Sequence, residues 1–334
     1  MSAKRKIGIP KKQKRKLKWG VAGCGNFAEN TFLPTFQHLK KSRLISVYSS
    51  DKNRAEFIAD KFGANNSFDN YEEFLKSDIE AVYIAGANSD HYKQVLKAAK
   101  AGKNILCEKP LALDSDQAEE MVNVCKENNV FLSIDYVHRF HPLNAKAKEL
   151  IEKGMIGKIV SVSANFNIYY PPSDNFRFSK ESGGGALRDL GTHMIDLLRF
   201  FGGDIEDIKG YVDTIIFKSE VDDFASGMVK FKRGGYGAFN VSFNTRKGFN
   251  RIELLGYKGS ISIQNLVGKR NVSSKLIFNL DGEAKKTFRR RANKLLYLLR
   301  SVQNSFLNNE EPEVSGYDGL VNMRLMEDLE KGCL

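Results

Sequence analysis

Between Leu17 and Asp135, short apolar runs alternate with helix-forming stretches, and this rhythm constrains the fold before any single residue is considered. It predicts strands at residues 19–23, 44–48, 81–85, 104–107 and 130–134, with helices at 54–62, 91–101 and 115–128. Strand runs that are apolar throughout belong to a parallel sheet covered on both faces by helices. Such strand–helix repetition builds a doubly wound Rossmann α/β sheet, whose ligands bind beyond the carboxyl ends of the strands.

After Pro142 the texture changes. A helix is predicted at 143–153, then long alternating segments at 158–169, 211–217, 225–231, 237–243 and 251–255, with hairpin turns at 232–235 and 257–259. Alternation with Gly-bearing turns predicts an α+β domain with a large, mainly antiparallel open sheet. One polar sheet face left free suits a partner subunit, so a homodimer or homotetramer is expected. The division is therefore a basic tail over 1–16, the doubly wound α/β domain over 17–140 and the α+β domain over 141–334.

A net charge of +12 suggests nucleic acid until it is located. Nine Lys or Arg lie between Lys4 and Lys18, and seven more between Lys285 and Arg300. Without these two stretches the remainder is mildly acidic, so a nucleic-acid partner is not expected. Leu295, Leu296, Leu298 and Leu299 place the second stretch on an amphipathic helix with a basic outer face. No apolar run reaches the roughly 18 residues of a membrane span, and the N-terminus lacks the pattern of a secretory signal. Cys24, Cys107, Cys125 and Cys333 form no CxxC pair or metal cluster, which fits free thiols in a reducing cytoplasm and no metal.

Gly23-Cys24-Gly25-Asn26-Phe27-Ala28 follows the first strand and opens a helix. A lone GxGxxA is weak, but in this setting it describes a pyrophosphate-binding turn. Gly23 permits the turn, Gly25 admits a phosphate to the backbone and Ala28 lets helix and strand pack closely. At the end of the second strand, an acid would hold the ribose of NAD. Here Ser49 and Ser50 stand there, with Arg54 nearby, a set suited to the 2′-phosphate of NADP. Asp51 keeps NAD open.

Two further segments carry chemistry. Glu108-Lys109-Pro110 follows an apolar strand at the sheet's carboxyl edge, where a lysine can exchange a proton with a hydroxyl or hold a developing oxyanion. Downstream, three glycines at 183–185 precede Asp189 and His193, which are four apart and share one face of a helix. His193 can take an alcohol proton, while Asp189 orients it or holds a substrate hydroxyl. Asp196 reads as structural.

GxGxxA, then EKP, then GGGxLxDxGxH, in this order and at these separations, resembles the Gfo/Idh/MocA oxidoreductases, and the likeness runs from Lys18 to about Glu330. The resemblance implies an NAD(P)-dependent enzyme acting on a sugar, polyol or nucleotide-sugar. It implies Lys109, Asp189 and His193 as catalytic and substrate-binding residues, and Asn88, His91 and Glu108 beside the cofactor. In Ala87-Asn88-Ser89-Asp90-His91 the family's proline is replaced by Ala87. Arg139, in His138-Arg139-Phe140-His141-Pro142, falls in a segment that lies near the family's cleft, and it is expected to bind substrate. Tyr169, Tyr170, Asn175 and Arg177 are candidates for recognising further hydroxyls. An NAD-dependent glycosidase and a non-catalytic dinucleotide-binding regulator are the alternatives on the same fold.

Overall fold

The apolar runs of the first third become parallel strands because neither of their faces meets water. The computed structural model describes residues 15–266 and 273–332, so most of the basic tail and Cys333 lie outside the described residues. Strands β1 (Leu17–Ala22), β2 (Ser42–Tyr48), β3 (Asn66–Phe68), β4 (Ala81–Ile84), β5 (Asn104–Cys107) and β6 (Leu132–Ile134) form one parallel sheet in the order β3-β2-β1-β4-β5-β6. Its connections carry helices α1 (Leu33–Phe36), α2 (Lys52–Phe62), α3 (Tyr71–Lys76), α4 (Asn88–Lys100) and α5 (Ser115–Glu127). Asp51 caps α2 by accepting from the Arg54 amide at 3.1 Å, and Gly63 ends that helix at φ +71°. Strand order reverses between β1 and β4, which sets the binding crevice at the glycine turn after β1.

Helix α6 (Pro142–Glu152) leads to the second sheet, made of β7 (Ile159–Asn167), β8 (Ile205–Asp213), β9 (Phe224–Phe231), β10 (Tyr236–Ser242), β11 (Asn250–Gly256), β12 (Gly259–Gln264), β13 (Ser274–Leu280) and β14 (Lys286–Arg290). Its order is β14-β13-β12-β11-β7-β10-β9-β8, antiparallel except for the β7–β10 pair. The expected mainly antiparallel open sheet is therefore present. Helix α7 (Thr192–Gly202) packs on the inner face of this sheet, against β7 and β10, with residues 192–198 all buried.

Three expectations need correction. The strand expected at 211–217 is β8, which begins at Ile205 and ends at Asp213. The amides of Ile215, Ile216 and Phe217 turn instead onto the Asp223 carboxylate at 2.8, 2.9 and 2.7 Å. The basic stretch 285–300 is not one helix. Its first part is edge strand β14, whose exposed charges block addition of a further strand, and helix α8 (Lys294–Asn308) starts only at Lys294.

Lastly, residues 141–334 are not one packing unit. Leu295, Leu298, Leu299, Val302 and Phe306 of α8 share a core with Trp19, Phe32, Phe36 and Tyr83 of the first domain. Each such burial is worth about 1.5–3 kcal/mol, enough to fasten the C-terminal helices to the parallel sheet. Helix α9 (Gly316–Lys331) packs on α5 and β8, spanning both halves. No helix among the described residues is long and apolar enough to cross a membrane.

Candidate active site

The glycine turn has the shape its residues suggested. Gly23 sits at φ +98°, and a Cβ there would stand 2.5 Å from the Gly86 amide nitrogen, so only glycine fits. A Cβ on Gly25 would meet nothing within 4 Å. The backbone at Gly25 therefore faces open space, as a site for a diphosphate requires. Asn26 and Phe27 are exposed at its rim and Ala28 is buried, at the start of a π-helical turn (Ala28–Phe32).

At the end of β2, Ser49 Oγ accepts from the Asp51 amide at 3.3 Å and Ser50 is exposed. Arg54 crosses toward the glycine turn. Its Nε donates to the Cys24 carbonyl at 2.8 Å and its Nη2 meets Glu29 at 2.5 Å. Glu29 also pairs with Lys61, so two cations stand around one carboxylate here. Cys24 is buried and its thiol is pushed up to about 11 by burial, which makes it unreactive packing.

Lys109 emerges directly from the end of β5. The α4 residue His91 is buried beside it, its Nδ1 donating to the Pro110 carbonyl at 3.0 Å. Glu108 turns inward, accepting from the Tyr83 hydroxyl at 2.5 Å and from the Lys109 amide at 3.3 Å. Buried Asp135 hydrogen-bonds Glu108, and burial, then the Glu108 charge, hold its carboxyl well above the usual range. Glu108 is thus a buttress of the Lys109 loop. Asn88 donates to the Ser182 and Gly183 carbonyls at 3.1 and 3.3 Å, tying α4 to the glycine loop of the other half.

Asp189 and His193 do not share a regular helix. Residues Leu187–Gly191 form a π-helical turn before α7, and its extra residue changes the angle between the two side chains. The Asp189 carboxylate is consequently taken by cations. Lys109 Nζ donates to its Oδ1 at 2.5 Å and to its backbone carbonyl at 2.9 Å, while Arg177 Nε donates to Oδ2 at 3.0 Å. Burial would raise the Asp189 carboxyl, but Lys109 and Arg177 overcome it and hold it below the usual range. Asp189 therefore does not orient the imidazole by a hydrogen bond; it acts on His193 through charge.

His193 is buried, with Nδ1 lacking a partner among the described residues. Burial and then Lys109 push its imidazole well below the ordinary value, only partly offset by Asp189, so it is neutral near pH 7. A neutral imidazole can accept a proton and a neighbouring ammonium can donate to an oxyanion, which is the chemistry this arrangement is capable of.

Arg139 does not face the cleft. Its guanidinium binds Asp196 at 2.9 and 2.5 Å and Asp318 at 3.0 Å, with a side-chain exposure of 9%. With both carboxylates engaged, it is a strut between α7, α9 and the turn Val137–Phe140, and Asp196 is structural as expected. His141 caps α6 by accepting from the Leu143 amide at 3.1 Å. The charged member of the site that the motifs did not bring forward is Arg177. Its only sequence signal was its position in a polar loop, and it also lies over the Phe176 ring at 4.6 Å.

A glycine turn at the switch point of a parallel sheet, with a lysine, a carboxylate and a neutral imidazole converging beyond the strand ends, defines a dinucleotide-dependent oxidoreductase. A family model described as "Oxidoreductase family, NAD-binding Rossmann fold" matches residues 17–136, and a Gfo/Idh/MocA C-terminal domain model matches residues 144–262. Oxidoreductase P35 of Formosa agariphila is 32% identical over 74% of this chain and 79% of its own length. The 1,5-anhydro-D-fructose reductase of Ensifer adhaerens is 28% identical over 91% of this chain and 92% of its own. Among solved structures, a 3-ketoreductase from Actinomadura kijaniata, in complex with NADP and TDP-benzene, matches 96% of this chain and 98% of its own with a TM-score of 0.85 at 23% identity. The chain belongs to the Gfo/Idh/MocA family and is an NAD(P)-dependent oxidoreductase.

Proposed function

We propose that the chain interconverts a secondary hydroxyl and a ketone on a sugar, polyol or nucleotide-sugar, with NADP as the preferred nucleotide. The observation that carries this reading is the meeting of Lys109, Asp189 and His193 beyond the end of β5. When bound, the nicotinamide supplies or takes the hydride at the reacting carbon. In the oxidative direction, His193 removes the hydroxyl proton as hydride departs from the same carbon, and the Lys109 ammonium holds the charge developing on oxygen. Asp189 keeps Lys109 aimed and, with Arg177, offers polar edges to neighbouring hydroxyls. The hydroxyls of Ser49 and Ser50 and the cation of Arg54 favour a 2′-phosphate. NADP bound to the Actinomadura kijaniata relative, and the sugar-derived ketone in the name of the Ensifer adhaerens enzyme, support the same assignment.

The second sheet's outer face supports a homodimer or homotetramer. Across it, Met228, Ala238, Ser163, Glu253, Ser262 and Ile277 lie side by side in register, a row dominated by small and uncharged residues. Tyr211, Met228, Tyr236 and Leu255 are all half-exposed on the strands of this sheet, where a second copy would cover them. A cytoplasmic setting fits the buried free thiols of Cys24, Cys107 and Cys125.

The test is turnover at the nicotinamide absorbance band on a panel of aldoses, cyclitols, anhydro-sugars and nucleotide-sugars. Lys109→Met and His193→Gln are each expected to lower kcat by about 10²–10⁴, with nucleotide binding by fluorescence nearly intact. Unchanged kcat in either variant removes that residue from the reaction.

A further inference from the structure

Of the seven cationic residues between Lys285 and Arg300, only Lys294 is turned inward; the other six are exposed. Asn293 caps α8, accepting from the Leu296 amide at 3.3 Å, and this sets Lys294 on the first turn. From there its Nζ donates to the Leu266 carbonyl at 2.9 Å and meets Nδ1 of His138 at 2.8 Å. The His138 ring, on the turn Val137–Phe140, stands edge-on to His193 with centroids 4.5 Å apart and planes at 78°.

This placement is costly. A cation at a helix N-terminus opposes the helix dipole, and burying an ammonium costs several kcal/mol before its hydrogen bonds are counted. An unbranched apolar side chain would fill the same space without either cost. The two costs are understandable if the charge acts on what it touches, and what it touches is the ring packed against the base.

We propose that Lys294 is a positioning residue for His193, acting through His138. An ammonium can only donate, so Nδ1 of His138 accepts and its proton sits on Nε2. That bond locks the His138 ring plane, and the locked ring fixes the rotamer of His193. The Lys294 charge also adds to that of Lys109 in keeping His193 unprotonated.

The titratable groups facing His193 are Lys109, Asp189 and His138, together with the Tyr136 ring at 6.2 Å. Those facing Lys294 are His138, His141 and Asp135, with Glu108 behind Asp135. Burial lowers the Lys294 amine to about 7, against the pull of Asp135, so the device is charged in the neutral-to-acid range where His193 needs protection from protonation.

The inference rests on His193 being the base, so the experiment reads the imidazole separately from catalysis. The full chain, labelled at its five histidines, is titrated by nitrogen NMR as wild type, Lys294→Met and Lys294→Arg, with His138→Gln and His193→Gln for assignment. Wild-type His138 is expected in the Nε2–H form. Lys294→Met is expected to move the His193 titration, and the acid limb of kcat/KM with it, to higher pH by about half a unit or more, the effect of one charge lost nearby. Lys294→Arg is expected to restore both.

An Nδ1–H form of His138 in the wild type overturns the proposal without any variant. So does an unmoved His193 in Lys294→Met, or an equal shift in Lys294→Arg, which would reveal packing alone. The imidazole shift without turnover on any polyol would remove the dehydrogenase reading and uphold the coupling. Turnover without the shift overturns the coupling alone.

Discussion

Replacing Asp189 by Asn probes the site's electrostatic design more sharply than replacing any one of its cations. The wild-type carboxylate accepts from Lys109 at 2.5 Å and from Arg177 at 3.0 Å, with side-chain exposures of 15%, 13% and 30%. Asn keeps the shape and removes the charge, so two part-buried cations lose their counter-ion. Taking one partner from a buried pair costs about 3–5 kcal/mol, and the partial exposure of Arg177 places the sum near 3 kcal/mol. For 334 residues, an unfolding entropy of about 2.1 cal/mol/K per residue converts this to a fall in Tm of about 4 °C for one-step melting. The pH dependence follows from the direction of the shift. Against the effect of burial, Lys109 and Arg177 hold the folded-state carboxyl below its ordinary value. The contribution is therefore complete above the ordinary carboxylate pKa and lost as pH falls through the folded one. Urea denaturation of wild type and variant should give a full gap at pH 7 and nearly the same gap at pH 5. A difference at pH 7 no larger than that of an exposed ion pair, about 1 kcal/mol or less, would refute the reasoning.

Three further outcomes follow from the same geometry. Gly25→Val should fold with an unchanged Tm and lose nicotinamide-nucleotide binding, because its side chain enters open space; Gly23→Ala, driven into the Ala85–Gly86 backbone at positive φ, should lose stability first, and melting with and without nucleotide separates the two. Because burial and Lys109 depress His193 below its usual 6.5, kcat/KM should hold through that pH and fall only in more acid solution; an acid limb centred at or above 6.5 contradicts this. Arg54→Ala should weaken NADPH by about 10–100-fold, the worth of one or two charge-assisted hydrogen bonds, and weaken NADH much less; equal losses for both would assign Arg54 to the glycine turn alone, where it already holds the Cys24 carbonyl.

The first domain was legible because its signals are local and repeated. β5 matches its expected span residue for residue, and β2 and β4 lie within two residues of theirs, since a strand apolar on both faces has few places to go. β3 and α3 were not expected, as three residues of strand and six of helix are too short to show a period. In the second half, alternation located β9 and β10, but β8 began six residues early because Glu206, Asp207 and Lys209 hide its alternation in charge. The packing of the C-terminal helix α8 on the first domain was hidden for a different reason. Leu295 to Phe306 read as an amphipathic helix in either domain, and only the long-range packing on Trp19 and Phe32 decides which core it joins.

The candidate site divides along the same line. Gly23, Gly25, Lys109 and His193 could be singled out because each stands in a short motif whose spacing is set by one turn or one strand end. Arg139, Arg177 and Lys294 could not be sorted, because what distinguishes them is the partner each cation finds across the fold. Arg139 meets Asp196 and Asp318 and is spent on structure; Arg177 meets Asp189 and enters the site. Lys294 meets no carboxylate within ion-pair distance among the described residues and instead bonds an imidazole. In the sequence all three are cations beside aromatic or apolar residues. Folding separates them by the desolvation each must offset: a guanidinium between two carboxylates recovers it fully, whereas an ammonium held by a carbonyl and a ring nitrogen does not. The cation left with that deficit is the one whose charge is felt by its neighbours, and its neighbour is the ring packed on His193.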